Sequence, residues 1–247
     1  MKTFCKMLKT EFKLSLRGMD MFIFSICMPI VILVVLGLVF NGKPAYDGAE
    51  YSFLSLSFGS ISTIGICAGG LMGLPLVISD YRNKKILKRF KVTPVSQVTI
   101  LLVQVSIYAI YSFVSLILLY ICSSLFFDFT VKGSIFTFMG GFILVMFTMF
   151  SIGIMVGGIA PNTQTASVIA SILYFPMIIF SGATLPYEIM PKVMQDIVNF
   201  LPLTQGIKIL KAAVLGYEFK NVLPAFLVMV VIISVCSMIS IKYFRWE

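Results

Sequence analysis

The chain has 247 residues, of which 59% are hydrophobic and only 12% charged, with a formal net charge of +9 and a mean hydropathy of +1.03. Soluble domains carry about 25% charged residues, and the apolar residues here come in runs of membrane-spanning length, so a soluble fold is excluded. The basic residues sit at the ends of oily runs rather than on one water-facing surface, which argues for membrane topology and against nucleic-acid binding.

Residues 1–17, MKTFCKMLKTEFKLSLR, gather Lys2, Lys6, Lys9, Lys13 and Arg17 on one side of a helix. Phe4, Met7, Leu8 and Phe12 fall roughly opposite. That pattern predicts an amphipathic helix lying in the membrane surface, with a loose basic leader as the alternative. Glu11 falls among the apolar positions, which points it toward a protein neighbour rather than lipid. The basic region is long and no clear small-x-small site follows, so a retained first span is expected rather than a cleaved signal.

Six spans follow, at about 21–40, 53–78, 98–126, 135–159, 165–181 and 222–241. Gly65, Gly69 and Gly73 in the second span, and Gly153 and Gly157 in the fourth, repeat every four residues. That spacing permits close helix packing; a place on a translocation path is the alternative. Pro29 and Pro176 fall inside spans, where neighbouring helices resatisfy the freed backbone groups. Tyr174 and Phe175 read as packing residues. Between the fifth and sixth spans the sequence is half-apolar and rich in proline. Pieces such as 191–200 and 203–215 are too short and polar to cross alone and are expected to be re-entrant or interfacial.

Six spans put both ends on one side. With that side cytoplasmic, the inner segments hold thirteen of the nineteen Lys and Arg, five at 1–20, six at 80–97 and two at 242–247. The opposite topology would place eleven of them on the wrong face. The largest inner segment reads DYRNKKILKRFKVTPVS, residues 80–96. As a helix over 82–91 it sets Ile86, Leu87 and Phe90 in one ridge among Arg82, Lys84, Lys85, Lys88, Arg89 and Lys91, with Pro94 limiting its far end. A docking element needs such a ridge; anchoring to acidic lipid does not.

Chemistry of its own is missing. No G-x-x-x-x-G-K-[ST] phosphate cradle occurs, no G-x-S-x-G, and with no His no H-E-x-x-H. Four of the five Cys lie within apolar runs and no CxxC occurs, so no zinc site or disulfide framework is indicated. Ionisable groups for ion-coupled transport are lacking in the spans. Energy for any transport would come from a partner.

The stretch KRFKVTPVS, placed after a second and before a third span, resembles the cytoplasmic loop of ABC-2 type permeases, the membrane subunits of export ABC transporters. FSGATLPYEIMPKVMQDIVNFLPLTQGIKILKAAVLG resembles the same family's segment between its last two spans. The resemblance covers nearly the whole chain, as one transmembrane domain over 1–247. It implies an all-α polytopic membrane protein of six transmembrane helices in a bacterial plasma membrane, both termini cytoplasmic. Residues 1–17 match an interfacial elbow helix, with Phe4, Leu8, Glu11 and Phe12. Residues 80–91 match a cytoplasmic coupling helix that docks an ATPase through Arg82, Lys84, Ile86, Leu87, Lys88, Arg89 and Phe90, ahead of Pro94. Residues 182–220 match an outer re-entrant helical hairpin, with Gly182, Pro186, Pro202, Lys208 and Lys211 at an outer gate; for the two lysines, interfacial anchoring is the alternative. The implied assembly is two permeases, identical or sister chains, with two ABC ATPase subunits that bind ATP and Mg2+; this chain needs no cofactor. It is expected to export a hydrophobic, lipid-like or peptide-like compound, with the small faces of spans two and five lining the path. A non-transporting sensor or assembly protein that docks a partner through the same loop is the alternative. Two departures bear on partner detail: SDYRNKKILKRF has only Asp80 as an acid and no Gly, and Lys208 and Lys211 stand where Arg is commoner. Single cysteines placed at 80–96 in a cysteine-free background are expected to react with an impermeant maleimide in inverted vesicles and not in intact cells.

Overall fold

The computed structural model describes residues 2–40, 44, 51–86, 96–127, 129–131, 133–183, 190–217 and 219–244. An N-terminal helix, α1 (Lys2–Gly18), precedes the first span, α2 (Ile23–Phe40). The others are α3 (Phe53–Asn83), α4 (Gln97–Phe127), α5 (Ile135–Ile159), α6 (Thr163–Phe180) and, after two short helices, α9 (Leu223–Tyr243). The short pair is α7 (Lys192–Val198) and α8 (Pro202–Leu215), bent by 101° at the break between them. Six helices are thus long and apolar enough to cross a membrane, at the positions their hydropathy predicts.

The centre of the bundle is α3. Of the most apolar 18-residue stretch in each span, 83% is buried in α3 but only 17% in α6 and in α9. It packs against α2, α4, α5, α6 and α8. Small residues make this possible. A methyl group on Gly153 would overlap the carbonyl oxygen of Gly70, and one on Gly157 would stand 2.9 Å from Pro75 Cα, so α5 lies directly on the α3 backbone. On the other side of α3, Gly69 and Gly73 abut the Tyr108 ring, and Gly65 abuts the Ser25 carbonyl and the Ser115 hydroxyl. Between lipid-facing helices there is little hydrophobic drive to associate, so such contact, and the dispersion it gains, is what joins them. The glycine faces expected to pack or line a path are therefore filled from within the chain. Spans two and five differ sharply: α3 is enclosed, while Val168, Ile172 and Phe175 leave one face of α6 exposed.

Two stretches depart from α geometry. Ile23–Cys27 in α2 and Ala68–Gly73 in α3 are π-helical turns, and the two touch. The wider turn in α3 falls where Gly70 meets Gly153. Pro176 sits inside α6, which runs on to Phe180. Asn162 caps α6, its side chain accepting the Thr165 N–H at 2.8 Å, which accounts for the tight turn at 160–162.

The bent α7–α8 pair packs along α5 through α8. Gly206 lies against Val145, Gly141 against Ile209 and Leu210, and Gly133 against the Ala213 carbonyl. So α8 runs antiparallel to the first half of α5, and its start, at Pro202, lies partway down that helix. Its end is closed by Gly216 at φ 78°, a left-handed position suited to glycine. This pair lies at the end of the bundle opposite α1. Substituting Gly153→Ala is expected to cost about 1–3 kcal/mol through overpacking, whereas Gly140→Ala, with nothing within 4 Å of the added carbon, should not lower stability; unfolding in SDS titrations of the detergent-solubilised protein checks both.

Candidate functional site

The polar groups of the bundle converge at the end carrying α1. Its apolar side chains Phe4, Met7, Leu8 and Phe12 pack on the core, while Lys6, Lys9, Lys13 and Arg17 are exposed. The off-pattern Glu11 does face protein. Its Oε2 accepts a hydrogen bond of 2.5 Å from the Tyr81 hydroxyl and one of 3.1 Å from Gln104 Nε2, and Gln104 also donates to Tyr81 at 2.9 Å. One turn on, the Tyr111 hydroxyl donates to Ser15 Oγ at 2.9 Å and its ring lies 5.6 Å from that of Phe12. Helix α1 is thereby tied to the end of α3 and the start of α4.

The second anchor is Arg82. The sequence reading sets it outward as a docking charge; here it is 6% exposed and turned inward. Its guanidinium donates to the carbonyls of Gly158, at 2.9 Å, and Ala160. These are carbonyls of the last turn of α5 and its cap, which have no helical partner. A buried cation there also meets the negative end of the helix dipole. Asn83 extends the join by donating to Thr163 Oγ1 at 2.6 Å, so the end of α3 holds the α5–α6 turn. The Phe244 ring presses on Gly158, which sets the end of α9 beside the same cluster and at the same end of the bundle as α1.

The helix expected over 82–91 begins differently. Residues 80–83 are the last turn of α3 rather than the first turn of a separate element, because that span continues to Asn83. Lys84 caps it, pairing with Asp80 at 2.8 Å. Lys85 then adopts φ 55°, and its N–H returns to the Arg82 carbonyl at 2.8 Å. A left-handed residue ends an α-helix, so Arg82 and Ile86 do not share one. Ile86 is half-buried. Leu87, Lys88, Arg89, Phe90 and Pro94 lie outside the described residues.

At the opposite end, Asn199 closes the helical pair: its side-chain oxygen accepts Lys208 Nζ at 2.6 Å and its carbonyl accepts Gln205 Nε2 at 2.5 Å. Lys208 thus holds the bend of the hairpin. Lys211 is buried where α8 crosses Gly59. Gly182 adopts φ 93° just after α6, Pro202 opens α8, and Pro186 lies outside the described residues.

The residues that sequence reading missed are Tyr81, Asn83, Gln104 and Thr163. Gln104 carried a signal, as an amide inside an apolar run, but nothing local named its partner. Among the described residues no group of His, Cys, Asp and Glu is placed to hold a metal ion. Arg82→Gln is expected to destabilise the protein by about 1.5–3 kcal/mol, the range for hydrogen bonds from a charged group, while Lys84→Ala, at an exposed pair, should change it by less than about 1 kcal/mol; SDS-titration unfolding reads both.

Comparison with known proteins agrees with this architecture. Residues 2–215 match the family described as ABC-2 type transporter. The "Inner membrane transport permease YhhJ" of Escherichia coli (strain K12) is 33% identical over 116 residues, 47% of this chain and 31% of the relative. The protein of that name from Shigella flexneri matches equally. "Nodulation protein J" of Rhizobium leguminosarum bv. viciae is 30% identical over 95 residues, 38% of this chain and 37% of the relative. The matched stretch spans about a third of these relatives' own length. With the family matched from α1 to the end of α8 and six spans in the fold, the chain belongs to the ABC-2 type transporter family as a multi-pass membrane permease.

Proposed function

We propose that this chain is the permease subunit of an ATP-driven exporter. It moves a hydrophobic, lipid-like or peptide-like compound outward, on energy from two separate ATPase subunits that bind ATP and Mg2+, and works with a second permease. The observation that carries the reading is the turn at Lys85. There the most enclosed helix of the bundle ends, and the basic sequence 84–91, with Ile86, Leu87 and Phe90, follows in the chain. A partner that grips this stretch pulls directly on α3, and through Arg82 and Asn83 on the turn between α5 and α6. The α1 strut holds the same end through Glu11.

The absence of a phosphate cradle from the sequence supports a motor on another chain. The exposed Val168, Ile172 and Phe175 of α6 support a second permease against that face, with the transport path between the two. In this reading both termini and the Lys85 turn face the cytoplasm, and the α7–α8 hairpin shapes the exit. The apolar anchors carry most of the hold on the motor, and the lysines and arginines around them guide its approach. Replacing Ile86, Leu87 and Phe90 together by Asp is expected to abolish co-purification of a co-expressed candidate ATPase partner, with membrane insertion retained. Unchanged co-purification would sink the docking role.

A further inference from the structure

Between α1, the end of α3, the start of α4 and Thr163 lies a cavity of about 460 Å³, within the roughly 300–1,000 Å³ of small-molecule sites. Its lining is two-sided. Leu14, Met21, Leu76 and Val77 form an apolar wall, and Glu11, Tyr81 and Gln104 stand at the polar side. Glu11 is held in place from one oxygen only: Oε2 takes both hydrogen bonds. Among the described residues, no Lys or Arg lies within ion-pair distance of it. The remaining charged lining groups, Asp80 and Lys84, neutralise each other at 2.8 Å. The titratable lining therefore carries one net negative charge, on a carboxylate whose second oxygen has no partner among the described residues.

A half-buried anion beside an apolar wall calls for a cation attached to something oily. We propose that this cavity binds a phospholipid with a primary-ammonium headgroup, such as phosphatidylethanolamine. The ammonium meets Glu11, and the glycerol and first acyl carbons lie along Leu14, Met21, Leu76 and Val77. A primary ammonium can donate to Glu11 and to the hydroxyls of Ser15 and Thr163, which also line the cavity; a quaternary choline cannot donate, and an anionic glycerol headgroup would face the Glu11 charge. Lipid seated there would fill the space between the α1 strut and α3. The inference needs only that this end of the bundle lies at a membrane surface, and it stands or falls separately from the docking of an ATPase.

The test uses the full chain, purified in detergent with any subunits that accompany it, and native mass spectrometry after incubation with equal amounts of phosphatidylethanolamine, phosphatidylcholine and phosphatidylglycerol. The wild type is expected to retain the ethanolamine lipid in preference to both others. Glu11→Gln keeps the acceptor shape but not the charge and should cut that retention about tenfold, as for loss of a charge-assisted hydrogen bond. Gly18→Met is a second probe: Gly18 lines the cavity, and a carbon added to it meets nothing within 4 Å, so a side chain can start there without a clash, and a long one should also reduce retention. If Glu11→Gln does not insert, the Gly18→Met result decides. Equal retention of the three lipids, or retention by either folded variant at the wild-type level, overturns the proposal. So does displacement of the lipid by phosphoethanolamine without acyl chains at equal concentration, which would make the headgroup alone the ligand.

Discussion

Contact between bare helix backbones governs this molecule. The Gly70 carbonyl of α3 and the Cα of Gly153 on α5 meet with no room for a side chain between them, and the other spans arrange themselves around that pair. In water a core of large side chains would be squeezed together by the solvent. In a bilayer the surrounding tails are as apolar as the core, so association has to come from fit and from polar contacts. The chain places small residues along α3 and α5 and large ones, such as Tyr108 and Phe150, where they fill the remaining grooves. Helices without that provision, α6 and α9, stay at the edge with few of their residues fully buried.

The polar contacts at the end carrying α1 divide into two anchors of opposite sign. Arg82 gives a positive charge to carbonyls that a helix end would otherwise leave bare; Glu11 gives a negative one to a phenol and an amide. Breaking either leaves a charge without its partners, the costly outcome in a low-dielectric setting. Both anchors converge on neighbouring residues, Tyr81 and Arg82, in the last turn of α3. Force applied beyond Asn83 therefore reaches α1, α4 and the α5–α6 turn through rigid connections rather than through loops.

Much of this was legible in the residues. Runs of twenty or so apolar side chains can be little else than spans, and five of the six boundaries agree with the structure to within about two residues, at the usual uncertainty of helix ends. The exception is the second span. The polar DYRN reads as the start of the inner loop, yet it continues α3, because Arg82 and Asn83 find partners on α5 and α6 that no local pattern announces. Periodicity reports how residues fall on one helix and is silent on which other helix they meet. Glu11 shows the limit from the other side: its misplacement among apolar neighbours pointed to a protein contact, while the identities of Tyr81 and Gln104 depended on tertiary packing. Short half-apolar pieces predict segments that do not cross alone, and the family resemblance implies a helical hairpin there, but no local pattern announces its closure on Asn199 by Lys208 and Gln205.

The π-helical turn at Ala68–Gly73 has a last implication, concerning angular phase. A π turn takes up one residue more than an α turn would, and one residue is about 100° of rotation about the helix axis. The two halves of α3 are thus out of step, so that the first half can offer Gly59 to α8 while the second half offers Pro75 to α5 and Arg82 to the carbonyls beyond it. Removing a single residue from that turn would leave composition and hydrophobic length almost untouched, yet swing the guanidinium about a quarter-circle away from its acceptors. In this helix the count of residues, as much as their kind, carries the information that aims the end bearing Arg82.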